Sequence, residues 1–590
     1  PDTQNDVAVA SITFTNSDDA ALSFSSVASG EVDFDSISGT SFGDITVAAA
    51  VHSELDVDNV IATAGSIGDI AVTVASGGSA YLEAITDGDF SAGSAGDIGN
   101  TVVTLASGGS ANVYVSAHSG SVGNFSLTVG ANASAYASAF ASGYSAVTGD
   151  NYAGGGNIGN ITVAAVGISA SAYFSADSSL NNASGNIGAG GNIGDISVTA
   201  DGESAFVNAD LSGGNGGSLG DINVTVSGSA LAEVSALASE NLSAGGNIGD
   251  VTVSLTGNSG EADLDLYVSG SVGNIVLTTA LDGSAYFDVE ANSGSIGTFN
   301  AVTGAASEVS GNFSAAGTVG AITVVAGLDS SAFITASGSA GVGAIKVTAG
   351  DDSEVFISAY ASAGVAQITV IGGSAGDDAD VVVGSAAVLD GVDLSAWLGN
   401  YTINVAGVTA GTILVGGADG GTITATNAAD VITGGAGDDN ISALDGGDVV
   451  TAGAGDDVVD GGLGADLLNG GAGDDQILGG DGNDTIFGDA GDDNIDGGAD
   501  NDIIQGGAGD DIITGGAGTN TITGGAGADA ITLAGTDTVV YSAVGDFGDS
   551  ITGFTAGVAG DAINTTAIVD LLDSVATAQT LATNFGANNV

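Results

Sequence analysis

Residues 470–478 read GGAGDDQIL, two aspartates set after three glycines and followed, one glutamine later, by an apolar pair. The stretch before it is GGLGADLLN (461–469), and the next two are GGDGNDTIF (479–487) and GDAGDDNID (488–496). A nine-residue unit, G-G-x-G-x-D-x-U-x with U apolar, holds its register without a slip. Units open at 416, 434, 443, 452, 461, 470, 479, 488, 497, 506, 515 and 524, with a degenerate member at 425. The sixth position is Asp430, Asp439, Asp448, Asp457, Asp466, Asp475, Asp484, Asp493, Asp502, Asp511 and Asp529, with Asn520 the one polar exception. The eighth is Ile441, Val450, Val459, Leu468, Ile477, Ile486, Ile495, Ile504, Ile513, Ile522 and Ile531.

This spacing predicts a six-residue turn followed by a three-residue strand. Glycine supplies the positive-φ conformations such a turn needs and lets carbonyls face a common point. The eighth residue points inward and stacks on its counterpart in the next coil. The sixth-position carboxylate points into the turn, where two facing rows of bare carboxylates repel unless a cation lies between them. Calcium takes six to eight oxygens from carboxylates and carbonyls, the donors this turn supplies. Zinc or copper would want His or Cys, and the chain has no Cys and only His52 and His118, both far from the repeats. Magnesium keeps its waters and fits an all-protein cage poorly. Multiple Ca2+ ions are therefore the expected cofactor. The candidate ligands are Asp430, Asp438, Asp439, Asp448, Asp456, Asp457, Asp466, Asp474, Asp475, Asp484, Asp492, Asp493, Asp502, Asp510, Asp511 and Asp529.

Residues 416–532 closely resemble the RTX (repeats-in-toxin) calcium-binding β-roll, a family defined by this nonapeptide. The resemblance implies that successive units wind in opposite directions and that every second unit stacks on the last, with calcium between their turns. Asp439 would then share an ion with Asp457, Asp448 with Asp466, and Asp475 with Asp493. Thr519 and Asn520, and the LDGGDVV stretch at 444–450, depart from the pattern, so the ends of the roll are expected to hold ions less firmly. The tail DTVVYSAVGDFGDSITGFTAGVAGDAI (537–563) is similar to the capping and secretion-signal region that follows RTX arrays, with Asp549, Ile551 and Phe554 in the D-x-I-x-x-F positions. Type I secretion and a roll that folds on meeting extracellular calcium are what the resemblance implies.

A second, looser repeat precedes the roll. SFGDITV (41–47), GSIGDIAVTV (65–74), GSVGNFSLTV (120–129), GNIGDISV (191–198) and GSVGNIVLTT (270–279) are five of eleven copies between 41 and 347. Each is a glycine turn followed by an alternating apolar run, which predicts a strand. A second strand-like segment with an aromatic follows, as in SAYLEA (79–84) and SAYFDV (284–289). Tyr81, Tyr136, Tyr286, Phe333 and Phe356 lie at one fixed offset from the motif glycines Gly68, Gly123, Gly273, Gly320 and Gly343, so stacking predicts an aromatic ladder. One unit is too small to bury a core, but a stack is not. About a dozen coils at ~4.8 Å each give a solenoid on the order of 60 Å long. Asp44, Asp69, Asp195, Asp221 and Asp250 follow the motif glycine, and Asn124, Asn160 and Asn274 replace them. That exchange favours turn capping over coordination.

The expected fold is all-β, a long β-solenoid of glycine-turn repeats followed by a calcium-binding parallel β-roll and a small C-terminal cap. The order along the chain is an N-terminal strand segment or cap (1–40), the solenoid array (41–375), a connector (376–415), the roll (416–535), and the cap with its secretion-signal region (536–590). Short helices are expected only near VDLSAWLGN (392–400) and at 569–585. Trp397, the sole Trp, is read as a packing anchor between the two repeat systems.

Composition narrows the function. With 71 acidic residues against the single Lys346, the surface repels nucleic acid and anionic lipid. No stretch approaches the roughly 18 apolar residues of a membrane span, and residues 1–14 lack the features of a signal peptide. G-x-S-x-G occurs at 39–43, 216–220 and 372–376, but in a chain this rich in Gly and Ser such matches arise by chance, and an enzyme is not expected. The expected role is a secreted, extracellular structural protein that self-assembles calcium-dependently at the cell surface, similar to RTX-type bacterial surface-layer proteins. Its expected partner is itself, with cell-surface polysaccharide a further candidate. The alternatives are an extracellular filament or sheath subunit, which a free N-terminal strand (VAVASITFTN, 7–16) would favour, and an RTX adhesin binding surfaces or glycans.

Overall fold

The computed structural model describes residues 7–9, 12–13, 20–27, 29–86, 96–118, 120–141, 156–178, 191–213, 216–238, 246–543, 546, 548–556 and 560–565. Among them there are strands and no helix. The chain divides into two compact units, Pro1–Ser339 and Ala340–Val590.

In the first unit each glycine-turn motif opens one coil with three rungs. The first rung is a single bridging residue: Phe42, Ile67, Ile98, Val122, Ile158, Ile193, Leu219, Ile248, Val272, Ile296 and Val319 pair in one parallel column. The second is the I-x-V strand, as in Ile45–Ala49, Ile70–Val74 and Ile196–Asp201. The third is the longer strand that carries the aromatics, as in Ser79–Thr86 and Ser284–Ala291. Both strand sets pair in parallel with the neighbouring coil, Ile70 opposite Ile45 and Ala80 opposite Leu55. Alternate side chains point inward, as a period of two requires. Val47, Val72, Val163 and Val198 form part of one inward column and Leu55, Leu82, Val113 and Leu264 are inward on the facing sheet, each at most 3 % exposed. Burial of each such side chain favours the stack by about 1.5–3 kcal/mol, and no coil could achieve it alone.

The post-glycine Asx residues do cap, but across coils rather than within their own turn. Asp44 Oδ1 accepts the Asp69 N–H, Asp69 Oδ1 the Asn100 N–H, Asn124 Oδ1 the Asn160 N–H, and Asp195 Oδ1 the Asp221 N–H. A second ladder runs beside it: Ser121 Oγ accepts the Asn157 N–H, Asn157 Oδ1 the Asn192 N–H, and Asn192 Oδ1 the Ser218 N–H. Ser218, the centre of one G-x-S-x-G match, thus belongs to the scaffold. The glycine between the two ladders is required by close approach, since a methyl on Gly220 would meet Asp195 Oδ1 and the backbone of Asp195 at 2.5–2.8 Å.

Two expectations need correction here. Tyr81, Tyr136, Tyr286 and Phe333 do share one outward column, but it is mixed: Tyr81 faces Asn112, Asn208 faces Glu233, and Asp263 faces Tyr286. Only Tyr136 and Tyr173 in that column stack face to face, with ring centroids 4.5 Å apart. The column is solvent-facing, so packing does not demand aromatics there. The N-terminal strand, for its part, is not free. Val7–Val9 pairs with Val32–Phe34 and Ile12–Thr13 with Ile37–Ser38, because its apolar alternation matches the next coil.

The second unit is also a stack of parallel coils, and in the roll each coil is made of two nonapeptides. Val392–Trp397 is a strand, not a helix, since it is one more rung, paired with Ile368–Gly372 and Ile413–Val415. Trp397 is fully buried and donates its Nε1–H to the Asn400 carbonyl at 2.9 Å. The expected helix at 569–585 lies outside the described residues. In the roll, alternate nonapeptides stack: Gln476–Leu478 pairs with Val458–Asp460 and Asn494–Asp496, and Thr485–Phe487 with Leu467–Asn469 and Ile503–Gln505. The eighth residues Ile441 to Ile531 are all at most 1 % exposed. The cap stacks in the same manner, with Ser550–Thr552 on Ala530–Thr532 and Ala562–Asn564 on Thr538–Val540.

Candidate metal centre

The turn geometry follows from the glycines. The second and fourth positions of the nonapeptide adopt positive φ, as in Gly471 (117°) and Gly473 (135°), a region that suits glycine. Where the pattern departs, Leu444, Asp489 and Asp500 take positive φ themselves. The first glycine has a different task. A methyl on Gly497 would stand 2.8 Å from Asp502 Oδ2 and 2.7 Å from the Gly515 carbonyl, and one on Gly488 would collide with Asp493 Oδ2. The first-position glycines Gly434, Gly461, Gly470, Gly479, Gly488, Gly497, Gly506 and Gly524 therefore leave open a small space into which a carboxylate oxygen of the same turn projects, often with a carbonyl of the next coil as well.

The sixth-position aspartates of these turns line the space, while Asp448 and Asp457 lie in turns that open with the buried Ala443 and Ala452 instead of glycine. They are 1–3 % exposed. Each Oδ1 accepts the N–H of the sixth-position residue one coil earlier: Asp457 from Asp439, Asp466 from Asp448, Asp475 from Asp457, and Asp493 from Asp475, at 2.7–2.9 Å. Oδ2 has no such partner. In Asp439, Asp448, Asp457, Asp466, Asp475, Asp484, Asp493, Asp502, Asp511 and Asp529 it is buried with no hydrogen bond. A buried, unsatisfied carboxylate oxygen is costly. Burial, with neighbouring carboxylates adding to it, raises Asp448, Asp457 and Asp511 to about 7, and Asp475, Asp484 and Asp502 to about 6, against the effect of the backbone hydrogen bond. A cation in the space reverses that cost.

The residues fit calcium. Orphan carboxylate oxygens and main-chain carbonyls are hard oxygen donors with no nitrogen or sulfur among them. Among the described residues no three acidic or His side chains gather at one point, so an ion here draws on carbonyls as much as on carboxylates.

The candidate ligands separate into three groups. The ten aspartates with orphan Oδ2 face the cradle. Asp438, Asp456, Asp474, Asp492 and Asp510 lie on the exposed rim, where each Oδ1 accepts the N–H of Asp456, Asp474, Asp492, Asp510 and Ala528 respectively. Asp430 is buried but has both oxygens occupied, Oδ1 by the Thr412 N–H and Oδ2 by the Thr426 N–H and hydroxyl. A residue with no sequence signal joins the site from outside the repeats: Tyr401, buried in the preceding coil, donates its hydroxyl to Asp439 Oδ1 at 2.6 Å. Burial and that hydrogen bond push its phenol well above the usual range.

These features define a calcium-binding parallel β-roll. The family model of the RTX calcium-binding nonapeptide repeat matches four times, at residues 415–450, 442–477, 469–504 and 496–531, so this segment is an RTX repeat array and binds Ca2+ at multiple turns. No match was found among curated proteins or among solved structures. RTX repeat proteins are typically secreted, and those with β-rolls are generally structural or adhesive rather than enzymatic. No helix among the described residues is long and apolar enough to cross a membrane.

Proposed function

We propose that the chain is a secreted structural protein that assembles with copies of itself at the cell surface, dependent on calcium, as the subunit of a surface layer. Export by a type I channel is part of this reading, supported by the likeness of 537–563 to the region that follows RTX arrays.

The observation that carries it is the division of charge between the two sheets of the first unit. The aromatic-bearing sheet shows water Glu54, Asp56, Glu83, Glu233, Asp263, Asp265 and Asp288, among others, and burial with neighbouring Glu54 and Asp33 lifts Asp56 to about 6. The I-x-V sheet is different. Its two central outward columns run Thr46, Ala71, Val102, Ser126, Thr162, Ser197, Asn223, Thr252 and Ala48, Thr73, Thr104, Thr128, Ala164, Thr199, Thr225, Ser254, with no charge, between the exposed turn ladder that holds Asp44, Asp69, Asp195, Asp221 and Asp250 and the strand-end Asp201. In a molecule of net charge −70, copies meet most readily through an uncharged face, and acidic faces approach only with divalent cations between them. One sheet thus suits direct contact and the other suits calcium bridging.

A filament is the second reading. It is favoured by the parallel pairing of coil on coil, a mode by which the stack of one copy would be continued by that of another. Electron microscopy of the purified protein in millimolar calcium and after chelation tests both. Ordered sheets that dissolve on chelation support the surface layer, and fibres support the filament. Particles that stay single in calcium overturn both.

A further inference from the structure

The sixth-position residues form two rows, one on each edge of the roll, because every second nonapeptide stacks on the last. One row is Asp439, Asp457, Asp475, Asp493, Asp511 and Asp529. All six bury an unpartnered Oδ2. The other is Asp430, Asp448, Asp466, Asp484, Asp502 and Asn520, and only its four middle members do so.

The ends of this second row are closed by hydrogen bonds. At Asp430, both oxygens are occupied by Thr412 and Thr426. At Asn520, the amide oxygen already accepts the Asp502 N–H at 2.9 Å. What remains is Nδ2, fully buried and short of a well-formed hydrogen bond, with the Asp537 carboxylate beside it. It takes the place that Oδ2 holds elsewhere, 3.3 Å from where a methyl on Gly515 would stand. An amide N–H group is a donor only and repels a cation. Beyond it, Asp537 continues the row with both oxygens occupied, Oδ1 by the Asn520 N–H and Oδ2 by the Ala534 N–H, each at 3.0 Å.

We propose that the two edges of the roll hold unequal numbers of calcium ions, with the Gly515–Asn520 turn and the Asp430 turn metal-free. The row from Asp439 to Asp529 is loaded along its length. The opposite row is loaded only at Asp448 to Asp502, and its two ends keep their fold by hydrogen bonding alone. Asn520 is then a site deleted by one atom, an oxygen exchanged for nitrogen. Asp430 is a hydrogen-bonded end piece although it satisfies the repeat pattern.

Counting bound calcium on the full chain by native mass spectrometry tests this, independently of whether the protein assembles. Asn520→Asp is expected to bind one ion more than the unaltered chain. Asp430→Asn, which keeps the shape of the side chain, is expected to leave the number unchanged, whereas Asp475→Asn lowers it. An unchanged count in Asn520→Asp, or a lost ion in Asp430→Asn, overturns the proposal. If Asn520→Asp proves unstable without metal, its count is taken after folding in calcium, and Asn520→Asp decides alone if Asp430→Asn does not fold.

Discussion

Both halves of this molecule stack parallel coils through a side-chain oxygen that caps the backbone of a neighbouring coil, yet they tolerate different residues there. In the solenoid, Asp69, Asn100, Asn124, Asn160 and Asp195 follow one another in a single ladder. One oxygen caps, the second polar atom is not buried, and charge is optional. In the roll the sixth position is Asp in every unit from Asp430 to Asp529 but Asn520's. There one oxygen caps and the other is buried, so the position needs a carboxylate and the carboxylate needs a cation. The difference between the ladders is burial of the second oxygen. It separates a ladder that needs no ion from one that leaves a buried carboxylate oxygen for a metal to satisfy.

Chelation should divide the two regions most sharply. Hydrogen exchange after calcium removal is expected to show the roll strands, such as Gln476–Asp481, losing protection while solenoid strands such as Ile196–Asp201 keep theirs. Equal protection in both would break the comparison. Acid should partly substitute for metal. Burial raises Asp448 and Asp457 to about 7 and Asp475 to about 6, above the values of an unfolded chain, so the folded roll binds more protons. In chelator its stability is greatest below about pH 4 and is lost as pH rises through 6 to 7. Circular dichroism in chelator should therefore show strand content falling from acid to neutral pH.

Single substitutions sharpen the contrast. Asp475→Asn should cost about 1–3 kcal/mol in saturating calcium, since it turns a ligand into a buried unpaired amide, read as a lower melting temperature. Asp195→Asn should change stability by less than about 0.5 kcal/mol, because Asn160 already fills the same role one coil away. A large effect at Asp195 would show that the solenoid ladder also depends on charge.

Much of this was legible in the chain. Strict periodicity reveals the roll, because an apolar residue every nine positions and glycines at fixed offsets admit few backbones. The I-x-V runs reveal the solenoid strands for the same reason. Three things were not legible. The fifth-position aspartates such as Asp474 read as candidate ligands beside their sixth-position neighbours, and nothing in the repeat shows that they lie on the rim and cap the next coil there. Asp430 obeys the repeat but is closed by Thr412, which no repeat contains. VDLSAWLGN has a helical look in isolation, yet Val392 must sit between Ile368 and Leu414, and stacking overrides local preference.

The two aspartate ladders of the roll run in opposite directions. On the rim, Asp456 reaches forward to the Asp474 N–H, while inside, Asp475 reaches back to the Asp457 N–H. Neighbouring coils are thus clasped from both sides, and these clasps, like the backbone bonds between coils, span the gap from one coil to the next. Tension along the stack would open one coil's clasps at a time at modest force. Tension across it would have to shear every rung together, so the roll is mechanically strong in one direction and yielding in the other.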